Sequence, residues 1–259
     1  MQKSLDDRPS GGVFILSLVL FVLFWTALAA LKADRTVLPD PLEVARVFRS
    51  ELAAGRLTRD LFATLSRVAV SFGLAMAIGT LLGILLGHFR RFNHWADPWV
   101  TIFMNLPALV LIVLCYLWIG LNEVAAVVAV TLNKTAMVMV TVRQGVRALD
   151  PALADLAFVA RLSCRERLRH VILPQLGPWL AVAARNGIAV IWKIVLVVEF
   201  LGRSNGVGFR IHLYFQQFEV AHILAYSVSF VACMLAVERF LIQPWESRST
   251  HWRRKAPDN

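Results

Sequence analysis

Residues 150–174 read DPALADLAFVARLSCRERLRHVILP, and they stand between two long apolar blocks. The blocks are EVAAVVAVTLNKTAMVMVTV at 123–142 and PWLAVAARNGIAVIWKIVLVVEFL at 178–201. Each block is long enough to cross a bilayer, since about 18 to 20 residues suffice at about 1.5 Å of rise each. The stretch between them carries two helix-start signals. Asp150 followed by Pro151 is an N-cap with proline at the first helical position. Ser163 with Glu166 three residues on is a capping box. The first helix continues as ALADLAFVA; the second, RERLRHVIL, is expected to stop at Pro174. Two capped helices joined by a few residues make an elbow projecting from the membrane. A plain connector needs far fewer residues, so the elbow is a place where something docks.

Outward from the elbow, the apolar blocks continue. The chain has 259 residues, is 58% hydrophobic and only 17% charged, and has a mean hydropathy of +0.63. A soluble domain carries more charge and interrupts its apolar runs more often. The reading is an all-α polytopic membrane protein with six transmembrane helices, at about 13–31, 64–87, 98–119, 123–142, 178–201 and 220–242. These lie in one transmembrane domain, 13–242, between an N-terminal tail at 1–12 and a basic C-terminal tail at 243–259. Ala27 and Ala29 mimic a signal-peptide cleavage site, but the apolar stretch is long for a signal peptide and is read as a retained helix. Asp40-Pro41 opens an amphipathic helix expected to lie along the interface. Gly79, Gly83 and Gly87 fall at every fourth position, a flat strip against which another helix can pack closely. Residues 202–219 read as a glycine-rich loop.

The formal charge of +10 raises the possibility of nucleic acid. The basic residues, however, cluster between and beyond the apolar blocks, and no zinc-finger or RNA-binding signature accompanies them. More of them fall on the side of the two ends, which places both termini in the cytoplasm. The partner of this surface is membrane lipid, not nucleic acid. Cys115, Cys164 and Cys233 have no disulfide or metal spacing, and the histidines are scattered. No nucleophile–base constellation and no phosphate-binding loop is present, so no catalytic, cofactor or metal residue is assigned.

Polar residues inside the apolar blocks are the remaining candidates, because ionisable groups in hydrocarbon usually face protein or water. Lys134 and Lys193 lie near the middle of the fourth and fifth spans. They either line a pathway that suits an anion, or pair with a carboxylate such as Glu199, or snorkel to an interface. Arg67 and Arg185 read as interfacial anchors. Asn105 with Pro107 marks a packed kink or a gate in the third span. Gly206 and Gly208 permit a tight path after the fifth span, either an ordinary turn or an external gate.

The elbow resembles the cytoplasmic "EAA" signature of ABC importer permease subunits, the inner-membrane components of binding-protein-dependent transport systems. That signature reads Glu-Ala-Ala, three residues, Gly, nine residues, then Ile-x-Leu-Pro. Here Asp155 takes the Glu place, Ala157 the second Ala, and Leu173-Pro174 the end. Arg161 stands at the glycine position; it enters a left-handed turn less cheaply, so the turn is expected to be made otherwise, with help from Ser163. The resemblance runs from about Leu38 to about Trp245 and is closest to the nitrate/sulfonate/taurine branch. Leu38-Pro39-Asp40-Pro41, Asn105-x-Pro107, Trp118-Ile119-Gly120, and Glu199 with Ser204-Asn205-Gly206-Val207-Gly208 are similar to patterns of that branch. The resemblance implies a type I ABC importer permease fold in a bacterial inner membrane. It implies a second permease copy, two cytoplasmic ABC ATPase subunits that bind ATP and Mg, and an extracytoplasmic solute-binding protein. Asp155, Ala157, Arg161, Ser163, Glu166, Leu173 and Pro174 would then form the coupling surface for the ATPase. The contrasting reading is a self-sufficient secondary transporter or channel, which needs no such elbow.

Overall fold

The computed structural model describes residues 11–32 and 37–242, so the C-terminal tail and nearly all of the N-terminal tail lie outside the described residues. Among the described residues every regular element is helical. Helix α1 (Gly11–Lys32) has 22 residues, about 33 Å of rise. Trp25 Nε1 near its end donates to Pro39 O at 3.1 Å. Helix α2 (Pro41–Ala53) begins as its sequence requires, with Asp40 Oδ1 accepting the Leu42 N–H at 3.2 Å and Pro41 in the first turn.

The bundle is organised around α3 (Arg56–His88) and α6 (Glu123–Arg147). A Cβ placed on Gly79 would stand 2.6 Å from Val138 Cβ, one on Gly83 2.7 Å from Val142 Cβ, and one on Gly87 2.5 Å from Val146 Cβ. Both chains advance four residues per step, so the helices run parallel with their i±4 ridges in register. Only hydrogen fits at the three glycines. The buried Ser71 and Ala75 extend the small-residue strip along α3.

Helix α9 (Leu173–Gly202) returns along α6 in the opposite direction, with Trp179 packed on Gly145. Helix α11 (Val220–Val237) closes the core, where Phe230 meets Trp192 edge-on at 5.6 Å. Among the described residues four helices are long and apolar enough to cross a membrane: Arg56–His88, Glu123–Arg147, Arg165–Gly202 and Val220–Phe240.

Two expectations need correction. The third span, 98–119, is not one helix but α4 (Arg90–Asn105) and α5 (Ala108–Ile119), bent by 98° to each other. Pro107 has no N–H and forces Leu106 out of the helical region, to φ −68 and ψ 122. Asn105 Nδ2 bonds back to Thr101 O at 2.8 Å instead of bridging the gap, so the chain turns there. The loop at 202–219 contains a further helix, α10 (Val207–Gln216).

Candidate functional site

The elbow comprises α7 (Pro151–Val159), α8 (Cys164–Arg167) and a π turn at Leu168–Ile172. Asp150 Oδ1 accepts the Ala152 N–H at 2.9 Å. The α7 C-terminus is a Schellman turn: Leu162 N donates to Ala157 O and Arg161 N to Phe158 O, both at 3.0 Å. The residue in the left-handed position is Arg161 itself, at φ 50. The turn expected to avoid Arg161 is therefore made on it, the two end-closing hydrogen bonds offsetting a penalty of about 1–2 kcal/mol for a Cβ there. Ala157 is buried beneath this turn, while Asp155, Phe158 and Val159 are exposed. Ser163 and Glu166 form the capping box, with Ser163 N and Oγ donating to Glu166 Oε2 at 2.9 and 2.7 Å.

Pro174 does not stop the second elbow helix. The chain passes through the π turn into α9, and Leu173 N donates five residues back to Leu168 O. Pro174 then sits in the first turn of α9, with Leu173 exposed beside it. The wider turn tolerates a residue that has no N–H to give.

At the opposite end of the bundle is a buried polar cluster. Glu199, fully buried near the end of α9, receives Arg67 Nη1 at 2.6 Å, Thr64 Oγ1 at 2.9 Å and Gly208 N at 2.9 Å. Arg67 also donates to Glu123 Oε1 at 2.6 Å and Oε2 at 2.9 Å, to Asn205 O at 3.0 Å, and to Asn205 Oδ1. Glu123 in turn holds Arg203 at 2.9 Å. The first turn of α10 is tied in through Gly206 N to Asp60 Oδ1 at 3.0 Å, Val207 N to Thr64 Oγ1 at 2.9 Å, and Arg210 Nε to Asp60 Oδ2 at 2.7 Å. Gly206 adopts φ +107, and a Cβ there would overlap the Glu199 carboxylate. The cluster thus fastens α10 to α3, α6 and α9. Every buried charge in it has an oppositely charged partner, as burial requires.

Arg67 is the correction of consequence: it is buried at the centre of this cluster, not an interfacial anchor. Asp60 and Arg210 belong to the cluster although no motif or mid-span position marks them in the sequence. Their signal was an acid and a base flanking the same two segments as Arg67 and Glu199. Glu199 pairs with Arg67 and not with a lysine. Lys134 is buried on α6 with no carboxylate partner among the described residues, whereas Lys193 is exposed on α9. Asn105 is exposed at the break between α4 and α5. The structure does not bring Lys134, Lys193 or Asn105 into the Glu199 cluster.

A family model described as binding-protein-dependent transport system inner membrane component matches residues 79–241. The chain belongs to this family. A Brucella abortus protein named as an ABC transporter permease is 29% identical to this permease over 253 residues, 97% of this chain and 100% of its own. A Bacillus subtilis protein named for aliphatic sulfonates transport is 28% identical over 193 residues, 74% of this chain and 70% of its own. The bicarbonate transport system permease protein of Synechococcus elongatus is 27% identical over 243 residues, 88% and 87% of the two chains. The permease superimposes on a chain of the MetNI methionine ABC transporter in an inward-facing conformation, with a TM-score of 0.61 and 19% identity over 74% of this chain and 93% of that one. A chain of an amino acid ABC transporter superimposes with a TM-score of 0.56, at 21% identity over 80% and 96%. The fold is that of type I importer permeases. The permease is a transport subunit and not an enzyme, and its family works with a separate ATPase and a binding protein, which does not favour the self-sufficient transporter.

Proposed function

We propose that this permease forms, with a second copy of itself, the inner-membrane pathway for a small anion such as a sulfonate, taurine or nitrate. The extracytoplasmic binding protein delivers the anion, and two cytoplasmic ATPases that bind ATP and Mg drive its passage. Six crossings with both termini in the cytoplasm put the elbow on the ATPase side, where the exposed Phe158 and Val159 seat in the ATPase. The Glu199 cluster then lies at the outer end, and Gly206 and Gly208 hold α10 there as part of the outer gate.

The observation that carries the anion reading is Lys193. It is exposed in the middle of an apolar helix whose other side is core, including Trp192, Ile194 and Val195. A lysine facing hydrocarbon at that depth costs about 2.5–3.5 kcal/mol, so this face of α9 belongs against the second copy and the pathway between them. Lys134, a buried cation with no carboxylate partner among the described residues, adds to the same positive field. Two of the relatives carry the names of anions in their transport titles, sulfonates and bicarbonate. The test is uptake into proteoliposomes holding the permease, its ATPase and its binding protein, with candidates chosen by thermal shift of the binding protein. Lys193→Gln should lower anion uptake at least severalfold, and Lys193→Arg should restore most of it. A binding protein stabilised only by cations or neutral solutes would end the anion reading.

A further inference from the structure

We propose that the cleft between the start of α4 and the end of α6 binds the headgroup of an anionic phospholipid. The cleft encloses about 410 Å³ and is lined by Gly87, Arg90, Asn93, His94 and Arg147. No carboxylate lines it. Asp97, the one acid of α4, is engaged by Arg143 Nη1 at 2.6 Å. The same guanidinium nitrogen donates to Asn93 Oδ1 at 2.7 Å, which leaves the Asn93 amide hydrogens as donors. Arg90 and Arg147 have no ion-pair partner among the described residues. Converging cations and amide donors without a counter-charge select a phosphate-bearing anion.

The adjoining surface decides that the phosphate belongs to a lipid. Helix α4 turns 98° away from α5 and packs its inner face through Val100 and Ala96 on Leu86 and Met139. Its outer face presents Phe92, Trp95 and Trp99, exposed at 70, 80 and 65%. Large aromatics beside arginines are the residues of a membrane–water boundary, where the rings take the glycerol and upper acyl region. A soluble phosphate would fill the basic cleft and leave that aromatic face without a partner. The inference needs the chain to be membrane-embedded; it does not depend on the transported substrate.

The test is native mass spectrometry of the full permease with its ATPase, incubated with equal amounts of phosphatidylglycerol and phosphatidylcholine. The wild type should retain phosphatidylglycerol in preference. Arg90→Gln combined with Arg147→Gln should reduce that preference by roughly fivefold for each arginine, while Arg169→Gln on the elbow leaves it unchanged. An unchanged preference in the double variant overturns the proposal. So does displacement of the lipid by excess inorganic phosphate, which would mark a soluble-anion site. Should the double variant not assemble, photoreactive phosphatidylglycerol on the wild type gives the answer: label must fall in 89–105, and its absence there overturns the proposal.

Discussion

Arg67 Nη1 lies 2.6 Å from Glu199 Oε1, joining residues 132 positions apart in the chain. The contact is closed to solvent on both sides, with Arg67 at 4% and Glu199 at 0% side-chain exposure. A charge pair of this kind is costly to break from one side, because the abandoned partner remains buried. Arg67→Ala should therefore destabilise the protein by about 3–5 kcal/mol. Removing both charges with Arg67→Met and Glu199→Leu together should cost less than the sum of the single changes. Thermal unfolding in detergent for the two singles and the double measures the coupling; strict additivity would remove Arg67 and Glu199 from one unit.

The α3–α6 strip predicts a sharp positional contrast. Gly83→Val introduces atoms where a Cβ already stands 2.7 Å from Val142 Cβ and 2.8 Å from Met139 O. The two backbones must separate, at about 1–3 kcal/mol or more. Gly73→Ala, on the same helix, has nothing within 4 Å of its new methyl and should be neutral or slightly stabilising. Melting temperatures of the two variants check the difference.

Arg161 holds a left-handed conformation at the α7 terminus. Arg161→Gly should stabilise the elbow by up to about 1 kcal/mol, and Arg161→Val should destabilise it by a similar amount or more. Hydrogen exchange at the Arg161 and Leu162 amides, which close the turn, reports the change directly. If valine protects these amides as well as glycine does, the turn is not made at this residue.

Glu51 ties α2 to the bundle through Arg56 Nε at 2.9 Å and the Tyr226 hydroxyl at 2.9 Å. The Arg56 hydrogen bond, first in effect, holds the Glu51 carboxyl below its ordinary 4.5; burial opposes this and Tyr226 reinforces it. A lowered value in the folded state means the contribution is complete above the unfolded value and fades as pH falls through the folded one. Wild-type stability should thus drop on the acid side of 4.5 more steeply than that of Glu51→Gln. Unfolding midpoints compared from about pH 6 to about pH 3 give the slopes.

Much of the framework was written in local signals. Asp40-Pro41, Asp150-Pro151 and Ser163 with Glu166 all act as caps, because capping depends on neighbours a few residues apart. The glycine period at 79, 83 and 87 reported a real helix contact, although nothing local identified α6 as its partner. What stayed hidden was tertiary. The place of Arg67 near a span end reads as an interfacial anchor, whereas its carboxylates come from α6 and α9, far away in the sequence. Helix α10 is hidden in the sequence because glycines 202, 206 and 208 give its surroundings the composition of a loop. Only the folded chain shows Asp60, Thr64 and Glu199 supplying acceptors to its first turn. Pro174 carried its usual terminating meaning, which the π turn before it removes.

That turn has a mechanical consequence. Because the chain keeps a helical path between Arg165 and Gly202, the elbow and the Glu199 cluster sit on one continuous element, with about 50 Å of rise from Arg165 to Glu199. At its far end Glu199 holds α3 through Arg67 and Thr64 and α10 through the Gly208 N–H, and Arg67 carries the link on to Glu123 of α6, so the docking elbow and the anchorage of three helices share a single element.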